Sequence, residues 1–258
     1  MTSTSRNARI AGLLYLLLTI ASPLRYIYIP SALIVRGDAT ATANNIVAHE
    51  SLFRLGMVTD LFSGTICIFI ALALYRLLEG VDRSLAVLMV ILGGVMPSAI
   101  YFFNVVNDAA ALILVRGASF LSVFDKPQRD ALALLFLRMH DQEIFAAEIF
   151  WGLWLFPLAI LVYRSRFLPR FLGVWLMVNG LAYVAMSLTG FLLPRYANMA
   201  GNVAFPALLG EVVLVLWLLI KGAKEIPNET QRDPDREFST VHPLAYDSRD
   251  GRHRPRVR

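Results

Sequence analysis

A single cysteine, Cys67, is the only thiol in this 258-residue chain, so no disulfide can form within it. Charge is scarce as well: 17% of the residues are charged against 57% hydrophobic. Histidine is rarer still, and no H-E-x-x-H pair occurs. His140 and Glu143 have H-x-x-E spacing, but the apolar runs supply no second imidazole, so no metal is expected. A serine nucleophile has no G-x-S-x-G elbow to stand on. Gly93, Gly94, Gly173, Gly180 and Gly190 fall inside apolar runs, where they read as close helix packing rather than a phosphate cradle. No cofactor is therefore expected. Nor is any internal repeat visible, which speaks against an inverted-repeat transporter.

What the chain does have is length in its apolar runs. Stretches near residues 10–30, 55–78, 85–107, 142–163, 168–193 and 203–221 approach or exceed the run that crosses a bilayer as helix. The expected fold is all-α: a polytopic bundle of six transmembrane helices over residues 1–224, with the lipid bilayer as its first partner. Lys and Arg in the connections orient it. Arg6, Arg9, Arg76, Arg83, Arg164, Arg166, Arg170, Lys221 and Lys224 share one side, and Arg36, Arg116, Lys126, Arg129, Arg138 and Arg195 the other. The first group is larger, so both termini are expected in the cytoplasm and the protein in the inner membrane. The net charge of +5 then reads as membrane orientation, with no nucleic-acid footprint. "TIASPLR" imitates a signal-peptide cleavage site, but the chain turns apolar again at once, so an uncleaved first helix is expected. Residues 225–258 hold four prolines, seven arginines and seven acids, and are expected to form a disordered charged tail.

Two connections are informative. Residues 38–54, "DATATANNIVAHESLFR", have helix-compatible spacing, with Glu50 and Arg54 as i,i+4 partners. In "DKPQRDALALLFLRMH", Asp125 can cap a helix that has Pro127 in its first turn and Gln128 three residues on. The apolar stretch 131–137 is too short to span and predicts a separate interfacial or re-entrant helix.

The ionisable residues of the spans form a pattern. Arg25, Asp108 and Arg195 lie near the C-terminal ends of odd-numbered helices. Arg54, Asp60, His140, Asp141, Glu143, Glu148 and Glu211 lie toward the N-terminal ends of even-numbered ones. Successive helices run antiparallel, so all of these positions fall in one half of the bilayer, opposite the termini. Each charge at the centre of a spanning helix costs about 2.5–3.5 kcal/mol on insertion scales, so several together call for a compensating cavity. Tyr101, Asn104 and Asp108 share a helix face, flanked by Asn107, with Pro97 as a kink below. Asp141 and Glu148 share another, and Glu143 points elsewhere. Arg25, Arg54, Arg195 and Asp141 are expected to snorkel or pair at the surface. The candidate polar cavity comprises Asp60, Asn104, Asp108, His140, Glu143, Glu148 and Glu211. Trp151, Trp154, Phe156, Trp175 and Trp217 read as lipid-facing or packing residues.

"ARIAGLLYLLLTI", "GDATATANNIVAHESLFRLGMVTDL", "FWGLWLFPLAILVYRSRFLPRFLGVWLMVNGLAYV" and "LLGEVVLVLWLLIKG" together resemble a bacterial integral-membrane family, domain of unknown function 4386, over roughly residues 8–223. The resemblance implies a six-span membrane protein and no activity. Its matched positions include Asn45, Glu50, Arg54, Asp60, Pro169, Gly173 and Glu211, none with a transferable role. Three functional classes stay open. The first is an outward-facing pocket for a small amphipathic or lipid-like ligand. The second is an intramembrane acid–base enzyme, an isomerase or cyclase of a lipid or isoprenoid, using Glu148 or Glu211 as proton donor. The third is a small proton-linked transporter or its accessory subunit, which the charge-free half beside the termini disfavours.

Overall fold

A computed structural model describes residues 3–223, and every regular element among them is helical. The tail expected to be disordered, 225–258, lies outside the described residues. Six helices are long and apolar enough to cross a membrane: Thr4–Leu33, Glu50–Leu78, Arg83–Arg116, Lys126–Arg164, Arg170–Leu192 and Pro194–Ile220. Here they are called the first to sixth spans. Six antiparallel passes put Thr4 and Ile220 on one side, the near side, and the connections after Leu33, Arg116 and Leu192 on the far side.

Consecutive spans pack against each other from first to sixth, and the sixth returns to the first. The bundle is thus a closed ring. Its outer surface is apolar: Leu13, Phe69, Phe103, Val174, Leu181 and Phe205, among others, point outward. Hydrocarbon accepts them at no cost, so this pattern suits a bilayer. Two apolar clusters fill the interior at different depths. Near the termini, Ala11, Leu74, Met89, Leu158, Leu172 and Leu218 draw on all six spans. Toward the far side, Ile29, Leu33, Phe53, Leu112, Ala133 and Leu137 join the first four spans to Ile46 of the short connecting helix Ala39–Ala48. Buried Arg25, Asp60, Asp108, His140 and Glu148 lie between these clusters.

The far-side connections differ in part from expectation. Asp38 caps Ala39–Ala48 by accepting from the Ala41 amide at 2.8 Å, and Glu50 meets Arg54 at 2.7 Å as its spacing predicts. Asp125 and Gln128 form the expected reciprocal cap. However, residues 131–137 are not a separate interfacial helix. They continue without a break into the fourth span, Lys126–Arg164, whose 39 residues extend about 58 Å at 1.5 Å per residue. The physical reason is local: no glycine or proline occurs between Pro127 and Gly152. His140, Asp141, Gln142 and Glu143 are polar but compatible with a helix, so polarity alone does not end it. Asp130, Ala133 and Leu137 are buried, which makes this extension part of the packed bundle.

Two spans contain a wide turn. The first passes through a π-helical segment, Leu24–Tyr28, directly after Pro23, and the third through Ile91–Val95, separated from Pro97 by Met96. Proline has no N–H to give the carbonyl one turn back, so the ladder must adjust near it. A π turn inserts one residue and rotates every side chain beyond it. Arg25 lies within the first of these segments and is buried.

Candidate functional site

Arg25 is buried, 6% exposed, and makes the densest polar contacts in the bundle. Its Nε donates to Asp60 Oδ2 at 2.8 Å, and its Nη2 to Asp108 Oδ2 at 2.6 Å. Nη2 also lies 3.1 Å from both ring nitrogens of His140, and His140 Nδ1 is 3.3 Å from Asp108 Oδ1. The first four spans each contribute one member. The surface position expected for Arg25 is therefore corrected: its depth along the helix was legible, but its partners, 35 and 83 residues away in sequence, were not. Arg54, Arg195 and Asp141 do pair near the surface, with Glu50, Tyr196 and Arg138.

Ligand-capable atoms of Asp60, Asp108 and His140 lie within 4.8 Å of one another, a donor set that two carboxylates and an imidazole could offer a cation. The guanidinium of Arg25 already bonds both carboxylates and touches the imidazole. It supplies the positive charge that a metal would otherwise bring, so the arrangement is a buried ion-pair network. Among the described residues Asp60 Oδ1 has no hydrogen-bond partner, and neither does Asn104 Oδ1, one turn before Asp108.

The remaining candidates divide. Glu143 accepts from Asn107 Nδ2 at 2.7 Å, tying the fourth span to the third. Glu148 is buried, and its Oε2 has no partner among the described residues. Glu211 accepts from the Tyr15 hydroxyl and, at 3.3 Å, from Asn179 Nδ2. Counting from residue 203 placed Glu211 in the far half. The helix actually begins at Ala197, which leaves Glu211 fourteen residues from that end and nine from Ile220. Glu211 thus sits past the middle, toward the near side, about 13 Å of helix from Ile220.

A cavity of about 340 Å³ occupies this middle level, and all six spans contribute to its wall. Of the seven sequence candidates, only Glu211 lines it. Around Glu211 stand Tyr15, Tyr26, Tyr101, Trp151, Trp154 and Tyr183. Trp151 is the hub, with ring centroids 6.1 Å from Tyr26, 6.4 Å from Tyr101 and 5.8 Å from Tyr183. Tyr15 lies 5.9 Å from Trp154. Trp154 packs as expected, beside Gly93, but the packing reading missed that it and Trp151 also line this wall. A usable signal was present: tyrosine deep in a span needs a partner for its hydroxyl, and Tyr15, Tyr101 and Tyr183 are all mid-span. Trp175 and Trp217 do pack, against the Gly210 backbone and the Phe171 ring. The wall's other ring-bearing helices come close because Gly93 leaves its Cβ side to the indole of Trp154.

Chemically, the middle level offers one carboxyl, several aromatic faces and an apolar mouth. The network above it is internally satisfied except at Asp60 Oδ1. The two features stack along the bundle axis, joined through Arg25–Tyr26 in the first span and Tyr101–Asp108 in the third.

No solved structure matches the chain. An uncharacterized protein of Archaeoglobus fulgidus is 26% identical over 159 residues, which is 60% of this chain and 76% of that protein. The family model described as "Domain of unknown function (DUF4386)" matches residues 10–222, and the chain belongs to that family.

Proposed function

We propose that this chain is an inner-membrane binding protein whose central cavity holds a small amphipathic or lipid-like ligand. The observation that carries this reading is the cavity itself, lined by all six spans and furnished with one carboxyl among aromatic rings. A volume near 340 Å³ falls within the range of small-molecule sites, and such sites combine apolar walls with few polar groups. The mouth supports access from the bilayer. Ile27 and Val212, on the first and sixth spans, belong to the wall and are also exposed on the outer surface.

Native mass spectrometry of protein purified in a neutral detergent tests the reading. A discrete adduct should copurify, and lipid extraction should identify it. Glu211→Leu should remove the adduct, and so should Ser22→Phe, which places a ring at the half-buried edge of the cavity. Glu148→Leu should retain it, because Glu148 is not part of the wall. Bare protein in every preparation, or an adduct indifferent to Glu211→Leu and Ser22→Phe, would overturn the assignment.

The orientation we propose has both termini in the cytoplasm, supported by the excess of Lys and Arg in the near-side connections. In intact cells, a membrane-impermeant thiol reagent should label cysteines introduced at Thr40 and Ser119 but spare those at Ser84 and Arg166. All four positions are exposed, and the native Cys67 is buried. Labelling of the second pair from outside would invert the topology.

A further inference from the structure

We infer that the cavity is built for an organic cation, an ammonium head carrying apolar substituents; this inference rests on the binding reading above and names the ligand class for it. Charge is the first argument. Glu211 is the one acidic side chain on the wall, and the wall holds no lysine, arginine or histidine. Among the described residues no basic side chain forms an ion pair with it either. Its contacts are neutral: a tyrosine hydroxyl and an asparagine amide. A carboxylate inside an apolar bundle calls for a positive partner, and the described residues offer none. The contrast with the far-side network is direct, since Asp60 and Asp108 both have Arg25.

The rings are the second argument, and they are independent of the first. The face of tyrosine or tryptophan carries negative potential and attracts ammonium groups, more strongly where water is excluded. Trp151 with its three tyrosine neighbours, and Tyr15 with Trp154, surround one small space from several directions. An aliphatic wall would hold a neutral hydrocarbon equally well. The same rings give an anionic headgroup only repulsion from their faces, added to that of Glu211.

Shape is the third. The cavity accommodates a compact head, and its mouth between the first and sixth spans is formed by aliphatic residues, Leu18, Ile27, Leu208 and Val212. Ile27 is 68% exposed on the bundle's outer surface. A ligand with its ammonium beside Glu211 would therefore direct its apolar part toward the acyl chains. Either a free hydrophobic amine or a lipid with a choline-type headgroup has this chemistry.

The test uses full-length protein in neutral maltoside micelles, followed by tryptophan fluorescence. Benzyltrimethylammonium and neopentylbenzene have the same shape and differ in one atom, nitrogen bearing charge in place of carbon. The cation should bind about tenfold more tightly or better, which is the scale of a desolvated cation–π contact joined to an ion pair. Glu211→Gln should remove most of that preference. The comparison of the two probes on the unmodified protein stands even if the variant fails to fold. Adding phosphatidylcholine or phosphatidylglycerol separates the sources. Displacement by phosphatidylcholine alone assigns the head to a lipid, and displacement by neither assigns it to a soluble amine; both results support the cation class. Equal binding of the two probes, unaffected by Glu211→Gln, would overturn the cation class and leave the cavity reading standing. Binding of neither probe would also overturn it, while the copurification experiment decides the cavity reading separately.

Discussion

Arg25→Met should destabilise the bundle by about 3–5 kcal/mol, the range for breaking a buried ion pair by removing one partner. The substitution keeps an unbranched apolar stem but leaves Asp60 and Asp108, 0% and 2% exposed, facing each other without a countercharge. Thermal unfolding in micelles, or the fraction of monodisperse protein after extraction, would measure the loss. Arg25→Lys should recover only part of it. One ammonium cannot reproduce a planar fork whose Nε and Nη2 reach two different carboxylates at 2.8 and 2.6 Å. Adding Asp60→Asn and Asp108→Asn to Arg25→Met should restore much of the stability, because the uncompensated charges go with the guanidinium. A surface arginine would behave otherwise, costing about 1 kcal/mol or less. An Arg25→Met protein that melts with the unmodified one would therefore dismantle the network as a structural element.

The second large effect lies between the fourth and fifth spans. A Cβ at Gly152 would stand 2.6 Å from the Gly180 carbonyl oxygen, and one at Gly180 would stand 2.9 Å from that of Gly152. One turn-pair further on, a Cβ at Gly173 would meet the Ala159 carbonyl oxygen at 2.7 Å. These are backbone atoms and cannot rotate aside. Helices in lipid gain little from the hydrophobic effect and associate through close packing, so small residues at the contact carry much of the association. Gly152→Ala and Gly173→Ala should each cost about 1–3 kcal/mol, as overpacking does elsewhere, and the spans should separate rather than repack. Gly201→Ala is the control: nothing stands within 4 Å of its Cβ position, so the change should be neutral or slightly favourable. Melting temperatures that fail to separate Gly152→Ala from Gly201→Ala would show that the seam has slack.

Legibility followed the range of the interaction. The spans, the Asp125–Gln128 cap and the Glu50–Arg54 pair depend on residues within one or two turns, and periodicity and spacing exposed them. Family membership was legible because its landmarks run in order along the whole domain. Gly173 and Gly180 were read as packing glycines from their apolar setting, and both meet neighbouring backbone. Arg25 escaped because its partners Asp60 and Asp108 are 35 and 83 residues away in sequence. Glu211 was misplaced in depth because its helix starts earlier than the apolar run suggests. Its partner Tyr15 is 196 residues away in sequence, a distance over which no local pattern can signal a contact. The polar residues of the fourth span illustrate the opposite error. His140 and Glu143 looked like the border of a helix, yet His140 faces the ion network and Glu143 faces Asn107, so both are satisfied inside one.

The contact between the first and sixth spans also sets an order on biosynthesis. The ribosome delivers Tyr15 long before Glu211, and the ring closes only when the sixth span meets the first. Until then the four residues of the ion network, all within the first 140, can already assemble from the first four spans. The middle cavity, in contrast, lacks a wall and its carboxyl. A nascent chain paused before residue 211 would be a half-open trough, its ion network able to form and its cavity without the sixth span's part of the wall. On the proposed binding reading, a copy that lacks the sixth span cannot close the cavity, so competence to sequester ligand in the membrane waits for that span.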